Sequence, residues 1–209
     1  MSKRNEAPLN VLESFLPEGT YELVTAYIIK YKVHLTLTRE RQSVLGDYRH
    51  PDKQGGHRIS INGNLNAYAF LLTLLHEIAH LQTFLDYGWK VASHGKEWKK
   101  VFGKILHQVI GKGILPHDVE HAVLGSIHNP GATHCTDEEL VRVLKKYDKG
   151  RQHYHFVEVL HEGELFRTKD GRIFKRGEKI RKRYRCQDIR SKRIYLFSPV
   201  YEVEKVKMQ

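Results

Sequence analysis

An α+β protein in two parts is what the sequence predicts, on three observations. Residues 65–87 are apolar on nearly every side and read as a helix enclosed by a core. Short segments of alternating or β-branched character precede it and read as a small antiparallel sheet. Beyond residue 150 helical spacing gives way to short strands separated by turns, and the charge pattern changes with it. Domains are therefore expected over 1–150 and 151–209.

The elements follow in order. Residues 8–16 and 20–29 carry apolar positions at helical spacing, parted by Pro17, Glu18 and Gly19. Strands are expected over 33–38, 43–48 and 58–61. The long helix stops at Gly88. Residues 96–110 form an amphipathic pattern, with Trp98, Val101, Phe102, Ile105, Leu106 and Val109 on one stripe and Gly111 after it. A short helix follows Pro116. Thr136 to Glu139 has the residue types of a capping box opening a helix over 138–147. Strands are then expected over 154–160, 164–168, 172–175, 179–185, 193–197 and 200–206. Their turns fall at Glu162-Gly163, Asp170-Gly171 and Arg176-Gly177.

The chain has 209 residues, 40% hydrophobic and 28% charged, which excludes a wholly disordered protein. Its longest apolar run, over 67–75, is about half of what a bilayer-spanning helix needs. Membrane association is not expected. Residues 1–10 are polar, so a secretory signal is not expected either. Cys135 and Cys186 suit neither a disulfide framework nor a paired-cysteine metal site, and a reducing, cytoplasmic setting follows. Net charge is +11, and residues 167–193 hold 13 Lys+Arg against 3 acids, so 13 − 3 = +10 lies in that stretch. Such asymmetry points to a surface for a polyanion, DNA above all, with salt-dependent binding. Arg181, Lys182, Arg183 and Arg185 are the candidate contacts. On one continuous strand, Arg181, Arg183 and Arg185 would share a face.

The most informative segment is His76-Glu77-Ile78-Ala79-His80, in the second half of the long helix. Residues four apart on a helix lie nearly one above the other, so both imidazoles reach one ion while Glu77 projects beside them. A zinc ion with its water would satisfy polar groups that are otherwise costly to bury. A catalytic zinc takes three protein ligands and leaves one position open. His94, at the mouth of the next helix, is preferred as the third; Glu97 is the competing ligand. The metzincin pattern is excluded, since Thr83 and Asp86 stand where it requires Gly and His. His117, His121, His128, His134 and Cys135 offer a weaker second set. Tyr48, His50 and His57 are candidates to stabilise an oxyanion.

His76-Glu77-x-x-His80, followed by His94-Gly95-x-x-Trp98, resembles the signature of the SprT-like family, which includes bacterial SprT proteins and the Spartan proteases. The resemblance takes in Leu45-Gly46-Asp47-Tyr48-Arg49 and Ile59-Ser60-Ile61-Asn62 and covers roughly residues 10–115. It implies a compact zincin-like fold, one Zn2+ held by His76, His80 and His94, and Glu77 as general base. In Spartan-type members it also implies DNA-dependent proteolysis of proteins crosslinked to DNA. The tail resembles the family's zinc ribbon in its hairpins but has Cys186 alone, so a cysteine-depleted β-module is expected. The expectation is thus a DNA-associated zinc metalloendopeptidase of the cytoplasm, nucleoid-associated if bacterial, acting on DNA-bound proteins. The alternative is a non-proteolytic DNA-binding protein with a structural zinc.

Overall fold

The computed structural model describes residues 9–41, 44–53, 55–128, 137–150 and 153–206. It is α+β and divides into two units, Met1–Tyr147 and Asp148–Gln209. The first unit opens with a 3-10 helix, Leu9–Phe15, in place of the expected α-helix, and continues into α1 (Tyr21–Lys30). Strands β1 (His34–Thr38), β2 (Gly46–Arg49) and β3 (Arg58–Asn62) follow, then α2 (Ala67–Tyr87), α3 (Lys96–Leu106), α4 (His117–His128) and α5 (Glu138–Lys145).

The three strands form a mixed sheet, which corrects the antiparallel expectation. β3 is central, with β1 parallel on one side and β2 antiparallel on the other. Alternating residues determine which face is buried and say nothing about strand direction. Direction is set by the connection after β1, which Arg41 anchors across the sheet. Its guanidinium donates to Asn62 Oδ1 and Ser60 Oγ, each at 2.9 Å. The Asn62 amide donates in return to the Arg41 and Val44 carbonyls at 3.1 Å. The chain thereby passes β3's position and enters the sheet on its far edge.

Helix α2 is the centre of this unit's core. Phe70, Leu71, Leu72, Leu74, Leu75, Ile78 and Leu81 are fully buried, and burial of each such side chain contributes about 1.5–3 kcal/mol. Asn66 caps the helix by accepting from the Ala69 N–H at 3.0 Å and donates to the Leu144 carbonyl at 3.0 Å. Gly88 ends it with a positive φ of 63°. The apolar stripe of α3 packs against α2, and the helix stops at Leu106 with Val109 buried in the turns beyond it. Asp137 caps α5 through the Glu139 and Leu140 N–H groups; Thr136 lies outside the described residues.

The second unit is a curled antiparallel sheet of six strands: β4 (Tyr154–Phe156), β5 (Leu165–Arg167), β6 (Ile173–Ile180), β7 (Arg183–Asp188), β8 (Ile194–Phe197) and β9 (Glu202–Lys205). Their order is β4-β9-β5-β6-β7-β8. Phe166, Phe174, Tyr184, Cys186, Phe197 and Val203 form its core, with Phe166 stacked on Phe174 at 5.6 Å. Cys186 is an interior residue whose thiol pKa is raised by burial. Two expectations are corrected here. Val157–Val159 is a 3-10 turn rather than the continuation of a strand. Arg176 and Gly177 lie inside β6, and the chain reverses instead at Arg181-Lys182, where Arg181 has φ 53°. Arg181 is therefore in a turn and shares no strand face with Arg183 and Arg185, which remain exposed together on β7.

Candidate metal centre

His76 and His80 are one helical turn apart on α2, and both rings leave the same side of the helix. His94 comes from the turn before α3 and has a left-handed backbone, φ 60°, which a non-glycine residue rarely adopts. The Gly95 N–H closes that turn on the Ala92 carbonyl at 2.9 Å. The result is a triangle of Nε2 atoms with sides of 3.1 Å (His76–His80), 2.9 Å (His80–His94) and 3.0 Å (His76–His94). Ligand nitrogens about 2.0–2.1 Å from a tetrahedral ion stand about 3.3 Å apart, so this triangle fits one ion lying to one side of its plane. Trp98, itself buried, backs all three rings at centroid distances of 4.6, 5.3 and 4.7 Å for His76, His80 and His94. Phe102 stacks behind Trp98 at 4.8 Å.

His80 and His94 are biased toward the neutral form that a metal requires. Burial, with His94 adding to it, lowers the pKa of His80 to about 4, and burial lowers that of His94 as well. Glu77 is buried beside them. Desolvation and then the Asp47 carboxylate raise its pKa to about 8, against a backbone hydrogen bond from Tyr48 and the charge of Arg41. That hydrogen bond ties β2 to the helix. The contact is close enough to exclude any side chain at Gly46, where a Cβ would lie 2.7 Å from Glu77 Oε1 and 2.7 Å from Thr73 Cγ2.

Among the described residues the three histidines are the one group of ligand-type side chains close enough to hold an ion. Glu97, the competing third ligand, turns toward Lys96 at 3.8 Å. Of the weaker set, His117 and His121 lie on α4, while His134 and Cys135 fall outside the described residues. Tyr48, His50 and His57 do come together. The Tyr48 hydroxyl and His57 Nδ1 share a hydrogen bond of 2.9 Å, and burial raises the pKa of that hydroxyl. Phe84 and Trp89 complete this aromatic group, with Trp89 edge-on to His50 at 3.9 Å. Sequence reasoning passed over both; Phe84, four residues after His80 on the same helix face, carried the readable signal.

A helix-borne pair of histidines, a third from the following turn and a buried carboxylate beside them form an HExxH-type cluster that could hold a metal ion. Residues 24–121, reaching from within α1 into α4, match the model of the SprT-like family. No curated protein and no solved structure matches the chain. No helix among the described residues is long and apolar enough to cross a membrane.

Proposed function

We propose that this protein is a zinc-dependent metalloendopeptidase of zincin-like fold that works on proteins bound or crosslinked to DNA. The observation that carries the reading is the convergence of three imidazole nitrogens about 3 Å apart, with Glu77 buried beside them. His76, His80 and His94 would hold Zn2+, the metal that three imidazoles with an open position favour. Zinc bound there supplies Lewis acidity and makes water a nucleophile near neutral pH.

Glu77 takes the proton of the attacking water and passes it to the leaving amine. Its raised proton affinity suits a group that must hold a proton between the two steps. The Tyr48 N–H orients the carboxylate, and Trp98 holds the imidazoles in register. β3 has a strand on both sides, so an extended substrate would add at an edge of the sheet rather than to β3. Among the described residues the edge strand beside Glu77 is β2, and main-chain bonds along it would position peptides of many sequences.

DNA association draws on the charge of residues 167–193 and on Arg181, Lys182, Arg183 and Arg185, all exposed. Target choice would then follow from location rather than from a specific pocket. The test is cleavage of a protein crosslinked to DNA by the zinc-loaded chain and by Glu77→Gln, each with and without free DNA. Cleavage by the intact chain alone, stimulated by DNA, is expected. Absence of cleavage by fully metallated protein would overturn the protease reading, and cleavage indifferent to DNA would overturn the association.

A further inference from the structure

The basic hairpin of the second unit ends in a two-stranded tip, the Ile180–Arg183 pair and the turn at Arg181-Lys182, which lies past the last β8 pairing at Tyr184. β5 pairs with β6 only at Ile173, Phe174 and Lys175, and β8 pairs with β7 only from Tyr184 to Gln187. Arg176 is still bonded to Gly163 and Glu164. Beyond it, among the described residues, β6 has β7 as its one ladder partner. One extra residue on β6 makes a bulge, with Gly177 and Glu178 opposite Arg185. A Cβ on Gly177 would stand 2.5 Å from the Arg185 carbonyl oxygen, so the strands close up there only around glycine. Such a bulge increases the twist of a ribbon and bends it.

The end of this ribbon is cationic and exposed. Lys179, Arg181, Lys182, Arg183 and Arg185 are all solvent-facing, with no acid between residues 179 and 185. Glu178 reaches Arg185 at 3.6 Å, an exposed pair of small worth. The ribbon's one ring, Tyr184, is turned inward and buried. Arg176 covers it at 4.2 Å and Lys179 at 5.6 Å. Proteins that hold single strands do so largely by stacking bases on presented aromatic rings. This ribbon presents guanidinium and ammonium groups instead.

A major groove of B-form DNA, about 12 Å wide, admits a two-stranded ribbon, whereas the A-form RNA duplex has a deep and narrow one. We infer that the tip of this hairpin, over residues 179–185, binds double-stranded DNA, with its turn in the major groove and its cations on the flanking phosphates. This rests on the DNA association proposed above and gives it a strand preference.

The experiment titrates the full chain against a short duplex DNA, a single strand of the same length and a duplex RNA of the same length, over a range of salt. Duplex DNA is expected to bind most tightly. Four phosphate contacts would give a log–log salt slope of about −3.6, which weakens binding about 150-fold between about 50 and 200 mM salt. The variant Arg181→Asn/Lys182→Gln should make that slope shallower by about 2. Asn accepts the left-handed conformation of residue 181, and an unchanged melting temperature would show that the fold is intact. Equal or tighter binding of the single strand, equal binding of duplex RNA, or an unaltered slope in the folded variant would overturn the inference while leaving DNA association standing. No binding to any of the three at low salt would remove the association itself.

Discussion

Replacing Gly46 by alanine should damage both the stability and the chemistry of the first unit. At a strand position with compatible backbone, Gly→Ala ordinarily stabilises by about 0.4–1 kcal/mol, because the unfolded chain loses freedom. Here the new methyl would lie 2.7 Å from Thr73 Cγ2, 2.7 Å from Glu77 Oε1 and 2.9 Å from Glu77 Cγ. Carbon atoms settle about 3.5–4.0 Å apart, so about 1 Å must be found between β2 and α2. Neither side yields freely. The Thr73 hydroxyl is bonded to the Ala69 carbonyl at 2.7 Å, and the Glu77 carboxylate accepts from the Tyr48 N–H. Overpacking of this kind costs about 1–3 kcal/mol, more than the entropic gain. At about 2–4 °C per kcal/mol, the melting temperature should fall by about 2–12 °C. Cleavage should fall further, about 100-fold, because a displacement of about 1 Å at a reacting group has that effect. The assay compares zinc-loaded wild type, Gly46→Ala, Thr73→Ser and the double variant. Serine removes Cγ2 and keeps the hydroxyl, so the double variant should regain part of the stability. It should regain little activity, since the contact with Oε1 remains. A Gly46→Ala protein that melts at or above wild type and cleaves normally would refute the close approach of β2 to Glu77.

Glu77→Gln should keep its zinc, measured by metal analysis after dialysis, and lose at least about 100-fold in turnover, the scale of general base catalysis. The metal-free protein should lose stability as pH rises from about 6.5 to about 8. In that window folded Glu77, with its pKa raised to about 8, holds a proton that the unfolded chain has released. His80, lowered to about 4, works in the opposite sense but only below about 6.5. The loss should reach about 1–2 kcal/mol by chemical denaturation, vanish in Glu77→Gln, and shrink when zinc is bound, since a dication favours the carboxylate. Asn66→Ala removes both the cap of α2 and the bond to the Leu144 carbonyl. It should cost about 1–2 kcal/mol in a denaturant titration, and a loss below the error of that titration would count against the cap.

The linear sequence determined those features whose physics is local. Four-residue spacing on one helix puts His76 and His80 side by side whatever surrounds them. A long all-round apolar segment has to be enclosed, so the central position of α2 was legible, as were the helical stripe of α3 and the shift to hairpins near residue 150. Cluster geometry and strand pairing are different, because they join residues far apart in the chain. The sheet's mixed topology is accompanied by Arg41 reaching Asn62 and Ser60, bonds from a loop to the central strand that no periodicity records. The value of Gly46 appears only once β2 lies against Glu77. The turn at Arg181-Lys182 rather than at Gly177 takes Arg181 off the face that Arg183 and Arg185 share, and it depends on Gly177 fitting inside a strand against Arg185. His94 stands between these cases: its sequence context marked it, but its convergence with His76 and His80 required the packing of α3 on α2. What local spacing can impose was readable from the chain; what needs two distant segments to meet was decided by the tertiary fold.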